Sequence, residues 1–463
     1  MKFAVLNGSP KGDISVTLQY VRYLEKVYPE HDYVIHHVAQ KIRALEKKDE
    51  AFDEVIDSIR GADGVIWSFP LYFLLVHAGL KRFIELVGER GVGDAFSGKY
   101  AAGISTSIHF FDNTAHTYIH GVSEDLGMQY VSSFSPHMTD LLDEEGRKKL
   151  QFFAEGLFDA VERGAAIPRR NQPITPVSLA YTPGAVGESV STGDKRVVVV
   201  TDAHPGKDNL NGMIQRLTGA LSGEVDVLNL NDVDIKGDCR GCIQCGYDYT
   251  CAYEGKDGFI DFYRDKVMTA DAVIFAGSIR DRYFSADIKR MFDRMFFNTH
   301  TSRLPQKQVG FLVSGPLSQL PNLREIMDGF FQVEESNLVD MVSDEYADSE
   351  TLDVVIDDFA RNVIRAADAG YVRPLDFLGV GGKKIFRDDI FMGLKFPFQA
   401  DHRHYKKNGY YDFPQKNYKM RIMSGILSAL TVIPPVREEI YKRQIRERMV
   451  QPFVKLVDGT GAK

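Results

Sequence analysis

The hexapeptide Ala62-Asp63-Gly64-Val65-Ile66-Trp67 returns as Ala270-Asp271-Ala272-Val273-Ile274-Phe275, and without any gap Lys81-Arg82 then falls on Lys289-Arg290. An apolar run precedes the motif in both places, Phe3-Ala4-Val5-Leu6 in the first and Val197-Val198-Val199-Val200 in the second. Self-similarity of this kind, colinear over several elements, marks a duplicated folding unit. The 463 residues are also too many for one ordinary core. The interval between run and motif is longer in the second copy, so that copy carries an insertion there.

Each copy alternates short apolar runs with amphipathic segments. In the first, the run at 2–7 ends in Gly8-Ser9-Pro10 and is followed by a helical pattern at 16–27. Further strands are expected at 33–38, 64–69, 100–105 and 130–134, with helices at 50–60, 79–88, 114–126 and 145–163. Five strands separated by helices predict an α/β fold in which helices cover both faces of a parallel sheet. The segment 164–194, rich in Pro, Gly, Ser and Thr, breaks the pattern before it resumes. The expected organisation is a first domain at 1–163, a linker at 164–194, a second domain at 195–370 and an extension at 371–463.

Charge separates the extension from the rest. The chain has net charge −8, yet residues 371–463 hold 18 Lys/Arg against 9 Asp/Glu. This extension is dense in aromatics and is expected to pack against the acidic body. No nucleic-acid-binding module accompanies its basic residues, so no nucleic-acid partner is expected. Its longest uncharged stretch, 422–436, contains polar residues and prolines and is too short to span a bilayer, which suits a packed or interfacial helix. No secretory signal opens the chain, because MKFAVLNGSPKG turns polar at position 7. A cytoplasmic protein without a transmembrane segment is expected.

In an open parallel sheet, ligands lie beyond the carboxyl ends of the strands, and three loops of the first copy fall there. The first, Gly8 to Thr17, offers the hydroxyls of Ser9, Ser15 and Thr17, the Lys11 ammonium and the amides that open a helix. Such a loop suits a phosphate. It has neither Gly-x-x-x-x-Gly-Lys-Ser/Thr nor Gly-x-Gly-x-x-Gly. The second loop, with Pro70, Leu71, Tyr72 and Phe73, and the third, with Ser105, Thr106, Ser107 and His109, set aromatic faces beside polar edges. That combination suits an isoalloxazine ring.

Taken together, Gly-Ser-Pro-Lys ending in Thr17, Pro70-Leu71-Tyr72-Phe73 and Leu80-Lys81 resemble the flavodoxin-like NAD(P)H-dependent FMN and quinone reductases. The resemblance covers residues 2 to about 160 and implies that the first loop binds the FMN phosphate while the other two border the ring. Val16 stands where that family usually has asparagine, which leaves only its backbone amide for the phosphate.

The four cysteines fall at Cys239, Cys242, Cys245 and Cys251, inside the insertion of the second copy. Their clustering excludes a disulfide framework spread over the chain. Three states fit the spacing: ligation of an iron-sulfur cluster, a zinc site, or reduced thiols without metal. The run Cys-Arg-Gly-Cys-Ile-Gln-Cys resembles the iron-sulfur flavoprotein family, which implies a 4Fe-4S cluster and a partnership between that cluster and the FMN of the first copy. The second copy lacks Gly-Ser-Pro and has Asp202 and Asp208 after its first strand, which opposes a phosphate there.

The expected function is therefore an FMN-dependent NAD(P)H oxidoreductase delivering electrons to a small-molecule or protein acceptor, with a homodimer among the expected assemblies. A flavodoxin-type electron carrier or a redox sensor is the alternative. No residue is assigned as a general acid.

Overall fold

The computed structural model describes residues 1–206, 208–413 and 417–458. Strands β1 (Lys2–Asn7), β2 (Asp32–His36), β3 (Gly64–Pro70), β4 (Tyr100–Thr106) and β5 (Gln129–Phe134) form one parallel sheet in the order β2-β1-β3-β4-β5. Helices α1 (Val16–Val27), α2 (Ile42–Lys47), α3 (Asp49–Arg60), α4 (Ala78–Glu89), α5 (Asp112–Asp125) and α6 (Glu144–Arg163) connect and cover it. Successive residues of a strand face opposite sides. Phe3, Val5, Ile66 and Ile104 accordingly pack with Leu18, Val21, Leu150 and Leu157 of α1 and α6. Their neighbours Ala4, Leu6, Val65 and Trp67 are fully buried as well, so both faces are covered. That double burial is why these strands read as apolar runs rather than as alternating patterns.

A short strand, β6 (Val190–Ser191), lies within the segment read as a linker. The second sheet then comprises β7 (Val197–Thr201), β9 (Val225–Asn229), β10 (Ala272–Ser278), β11 (Gln308–Ser314) and β12 (Asn337–Ser343), while β8 (Leu221–Ser222) pairs with β6 outside it. Its order, β9-β7-β10-β11-β12, repeats that of the first sheet, and all its pairs are parallel. Helices α7 (Asn209–Ala220), α8 (Phe259–Phe262), α9 (Ala286–Arg294), α10 (Pro321–Val333) and α11 (Ser349–Asp368) accompany it. The fold is thus the predicted one, two five-stranded parallel sheets flanked by helices, followed by a helical extension.

The extension consists of α12 (Phe377–Phe391), α13 (Gln399–Lys407), α14 (Tyr418–Leu430), α15 (Pro434–Glu438) and α16 (Ile445–Val457). Residues 1–404 are one compact unit and 405–463 another. Within the first unit, α12 bridges the two copies. A Cβ on its Gly382 would meet Phe110 and Val333 at 2.8 Å each, and Phe386 packs on Phe110 with ring centroids 4.1 Å apart. In α14, α15 and α16 no side chain is buried.

The two copies meet chiefly through α4 and α9, and the contact is built from the repeated Lys-Arg motif. Lys81 is fully buried, 2.7 Å from Glu85 one turn on and 3.0 Å from Asp281 of the other copy. Lys289, equally buried, pairs with Asp293 and donates to the Tyr72 carbonyl at 3.1 Å. Glu85 accepts from the Ala286 amide and Asp293 from the Ala78 amide, both at 2.7 Å. Each carboxylate therefore receives the first amide of the facing helix, where the helix dipole is most positive. The result is a pseudo-twofold seam that holds the second copy against the carboxyl edge of the first sheet.

Candidate functional site

At the end of β1, Asn7 shapes the loop into α1. Its Oδ1 accepts from the Ser9 amide at 3.1 Å, and its Nδ2 donates to the Gly12 carbonyl at 3.2 Å. Gly12 adopts a left-handed φ of +59°, and a Cβ there would strike the Gln40 side chain at 2.5 Å. Ser9, Ser15 and Thr17 are all buried. Ser15 is the N-cap of α1, yet its side chain makes no cap hydrogen bond. The first turn of α1 thus has no side-chain cap, and buried hydroxyls stand beside it. Val16, by contrast, turns its side chain toward solvent.

The third loop is tied directly to the first, since the Thr17 and Thr106 hydroxyls lie 2.6 Å apart. From β4 a chain of polar groups runs outward. Ser135 donates to Asp112 at 2.6 Å, so the 3.1 Å bond between Ser105 and Ser135 is donated by Ser105. The Ser105 lone pair is then left for the Nε2–H of His116 at 2.8 Å. At the outer end, Asp112 also meets His109 Nδ1 at 2.9 Å. Burial pushes His116 down to about 4, so its ring is neutral at ordinary pH. Burial acts against ionisation of Asp112, but its bonds to Ser135 and His109 prevail and hold the carboxyl below its ordinary value.

This linkage predicts an acid-sensitive stability. His116 takes up its proton at about 6.5 when unfolded and at about 4 when folded, so the unfolded chain binds the extra proton between those values. Stability is lost as pH falls through that window, with a slope from this group of about 1.4 kcal/mol per pH unit. His116→Gln, which keeps a donor for Ser105 but does not titrate, is expected to flatten that part of the curve. Chemical denaturation at a series of pH values reads the difference between the two proteins, and parallel curves would remove His116 from the account.

The second loop takes a course that no local pattern predicts. Phe73 and Leu74 both have left-handed backbone, φ 46° and 59°, an unusual conformation for bulky residues. The turn drives the Phe73 ring into the second copy, 3.8 Å from the Phe330 centroid and 4.8 Å from that of Phe292. Tyr72 and Lys11 in turn lie under the cysteine loop: a Cβ on Gly241 would meet Tyr72 Oη at 2.1 Å and Lys11 Cε at 2.9 Å. His77 caps α4 by accepting the Gly79 amide at Nδ1, which places its proton on Nε2, and Nε2 donates to the Cys239 carbonyl at 2.8 Å.

Residues 1–139 match the family model for NADPH-dependent FMN reductases. The match covers the first copy and none of the second. Among solved structures, the chain is similar to a flavoenzyme NAD(P)H:(acceptor) oxidoreductase from Paracoccus denitrificans, at 20% identity over 35% of this chain and 97% of that one, with TM-score 0.30. It is also similar to an FMN-dependent NADH-azoreductase from Bacillus anthracis, at 17% identity over 35% and 98% of the two chains, with TM-score 0.25. No curated protein matches the sequence.

The cofactor this family implies fits the residues present. The first copy offers buried hydroxyls at Ser9, Ser15 and Thr17 and a helix start that no carboxylate caps. The second copy does not offer the same. There Asp208 caps α7 by accepting the Asn211 amide at 2.9 Å, and Asn209 is bound to the Leu179 carbonyl, the Tyr181 amide and Asp344. Segment 179–184 of the linker thus crosses the helix start that a phosphate would need. Asp202 is buried against Ser285, while Lys207 of the same loop lies outside the described residues.

The cysteine expectation is corrected. Among the described residues no group of three or more His, Cys, Asp or Glu side chains is placed to hold a metal ion, so neither a 4Fe-4S cluster nor zinc is supported at Cys239, Cys242, Cys245 and Cys251. The thiols face different surroundings. Cys242 is exposed, whereas Cys245 is buried and directs its Sγ at the Phe296 carbonyl, 3.5 Å away. Burial pushes the Cys239 thiol up to about 12 and raises Cys245 as well, which favours thiols over the thiolates a metal requires. The loop is held by protein contacts instead, with Arg294 bridging the Gly237 carbonyl at 2.9 Å and Asp257 at 2.8 Å.

Spacing thus marked the cysteine loop as special, and its place in the fold is over Lys11 and Tyr72. The residues that sequence reasoning missed are Gly241, His116 and Ser135. His116 follows Asp112 by one helical turn, and Ser135 sits just beyond β5, two signals that acquire meaning only once β4 and β5 are paired.

Proposed function

We propose that the chain is an FMN-dependent NAD(P)H oxidoreductase that holds one flavin in its first copy, with the second copy serving as a fixed wall of the same site. The observation that carries this reading is the uncapped start of α1 beside the buried hydroxyls of Ser9, Ser15 and Thr17. Those groups would hold the phosphate, with Lys11 adding positive charge. Pro70, Leu71 and Tyr72, with Ser105 to His109, would border the ring, while Phe73 packs into the second copy.

When bound, FMN supplies hydride acceptance from NAD(P)H and release of electrons singly or in pairs to a small-molecule or protein acceptor. The chain's own residues bind, orient and exclude water. Thr17 and Thr106, hydrogen-bonded to each other, fix the first loop against the third. The Gly241 backbone, close over Tyr72, narrows solvent access from the side of the second copy. Asp112, Ser135 and Ser105 connect the His109 ring to His116 Nε2 through hydrogen bonds, an ordered route along which a proton can be held or passed.

The test has two readouts. Flavin extracted from the purified chain is expected at one FMN per chain, because the α7 start of the second copy is filled by its own Asp208 and by the linker. Anaerobic mixing with NADPH or NADH is expected to bleach that flavin. Two flavins per chain would overturn the assignment of the second copy. A bound flavin that neither nucleotide reduces would replace the enzyme by an electron carrier.

A further inference from the structure

The last described helices combine exposed apolar stripes with excess positive charge. In α14, Ile422, Met423, Ile426, Leu427 and Leu430 recur at the spacing of a single helix face, and all are exposed, Ile422 by 63% and Ile426 by 56%. In α16, Met449 and Phe453 follow Ile445 at four-residue steps, exposed by 69% and 67%, and Val457 ends the row at 84%. Residues 418–457 hold eight Lys/Arg against three Asp/Glu. Folded chains do not normally leave such stripes to water.

We infer that residues 418–457 are an interfacial anchor that lays this protein on an anionic lipid bilayer. Three observations select this occupant. First, α14 has 13 residues, which at 1.5 Å per residue is well short of the hydrocarbon thickness, and no helix among the described residues is long and apolar enough to cross a membrane. The stripe therefore suits a helix lying in the interface plane. Second, the basic residues flank the stripes at Lys419 and Arg421, and again at Lys442, Arg443, Arg446 and Arg448. There their long stems can run along apolar surface while their heads reach lipid phosphates. Third, the remaining charge argues against the other occupants. A second copy of the segment would bring like charges together, and a nucleic acid would match the charge but leave the Ile and Leu stripe in water. An anionic bilayer satisfies both features at once.

The experiment is co-sedimentation of the full chain with vesicles containing phosphatidylglycerol and, separately, with vesicles of phosphatidylcholine alone. Binding to the anionic vesicles is expected to exceed binding to the neutral ones by about tenfold or more, and to weaken as salt is raised. The double variant Arg446→Glu/Arg448→Glu is expected to lose about tenfold in anionic-vesicle binding. Ile426→Glu/Leu427→Glu, which alters only the apolar stripe, is expected to lose at least as much. All four positions are exposed, so the variants should fold, and an unchanged circular dichroism spectrum and thermal melt would confirm it. Three results overturn the inference: a full chain that stays in the supernatant with both vesicles, a stripe variant that sediments like the parent, or size-exclusion evidence of a dimer that the stripe substitutions dissolve while vesicle binding is absent. None of these readouts depends on the flavin assignment.

Discussion

Asp293→Ala is expected to destabilise the chain by about 3–5 kcal/mol, the range found when one partner of a buried ion pair is removed. Lys289 is fully buried beside Asp293, and burial already depresses its pKa, so without the carboxylate it either stays charged in an apolar setting or gives up its proton. The same substitution strips the Ala78 amide of its acceptor. Because Asp293 belongs to α9 and Ala78 to α4, the loss falls on the seam between the copies rather than on either core. The double variant Lys289→Met/Asp293→Ala should recover part of the deficit, since it removes the stranded charge but leaves the amide unsatisfied. Lys148→Ala, which breaks an exposed pairing with Glu144, should cost far less, within the 0–1 kcal/mol typical of surface pairs. Urea unfolding of the three proteins orders them, and an Asp293→Ala protein as stable as the parent would mean that the seam carries no stability.

The seam also shows which parts of the molecule a sequence exposes. The strands were legible because a sheet covered on both faces requires uninterrupted apolar runs, and Val197 to Val200 or Gly64 to Phe69 have no other use in a folded chain. The Lys-Arg repeat was legible as a mark of duplication, but its function was not. Lys81 and Lys289 act on partners 200 and 217 positions away, Asp281 and the Tyr72 carbonyl, and no local pattern encodes such pairings. Of the candidate site, the loop hydroxyls were readable because their chemistry is local: a strand end, a glycine, hydroxyls and a helix start. Phe73 was not. Its residue type suits a ring-stacking wall, whereas a left-handed backbone turns it into the second copy. The cysteines failed for a related reason. Spacing reports which ligands are near in sequence, while a metal needs their sulfur atoms to converge, and Cys242 and Cys245 face solvent and interior respectively.

Ser15→Asp should separate fold from cofactor more cleanly than any other change in the chain. Aspartate is as good an N-cap as serine, and its charge is favourable at the positive end of α1, so the variant is expected to unfold no earlier than the parent. The same carboxylate would stand among Ser9, Thr17 and the first-turn amides, where the phosphate is proposed to bind. There it would take the amides for itself and repel a dianion. FMN affinity is expected to fall by roughly 100-fold or more, equivalent to about 2.7 kcal/mol. The second copy already has this arrangement, with Asp208 capping α7 through the Asn211 amide. Ser15→Asp thus converts the first loop toward the form of the second, and the comparison isolates the cap as the feature that distinguishes a flavin-holding copy from one that only builds the wall. Fluorescence titration with FMN and a thermal melt on the same sample measure both halves of the expectation. A stable Ser15→Asp protein that binds FMN at parental strength would place the phosphate away from α1, whereas a protein that loses FMN together with its fold would be resolved by Ser15→Asn, an equally good cap without charge, which should fold and retain most of the flavin.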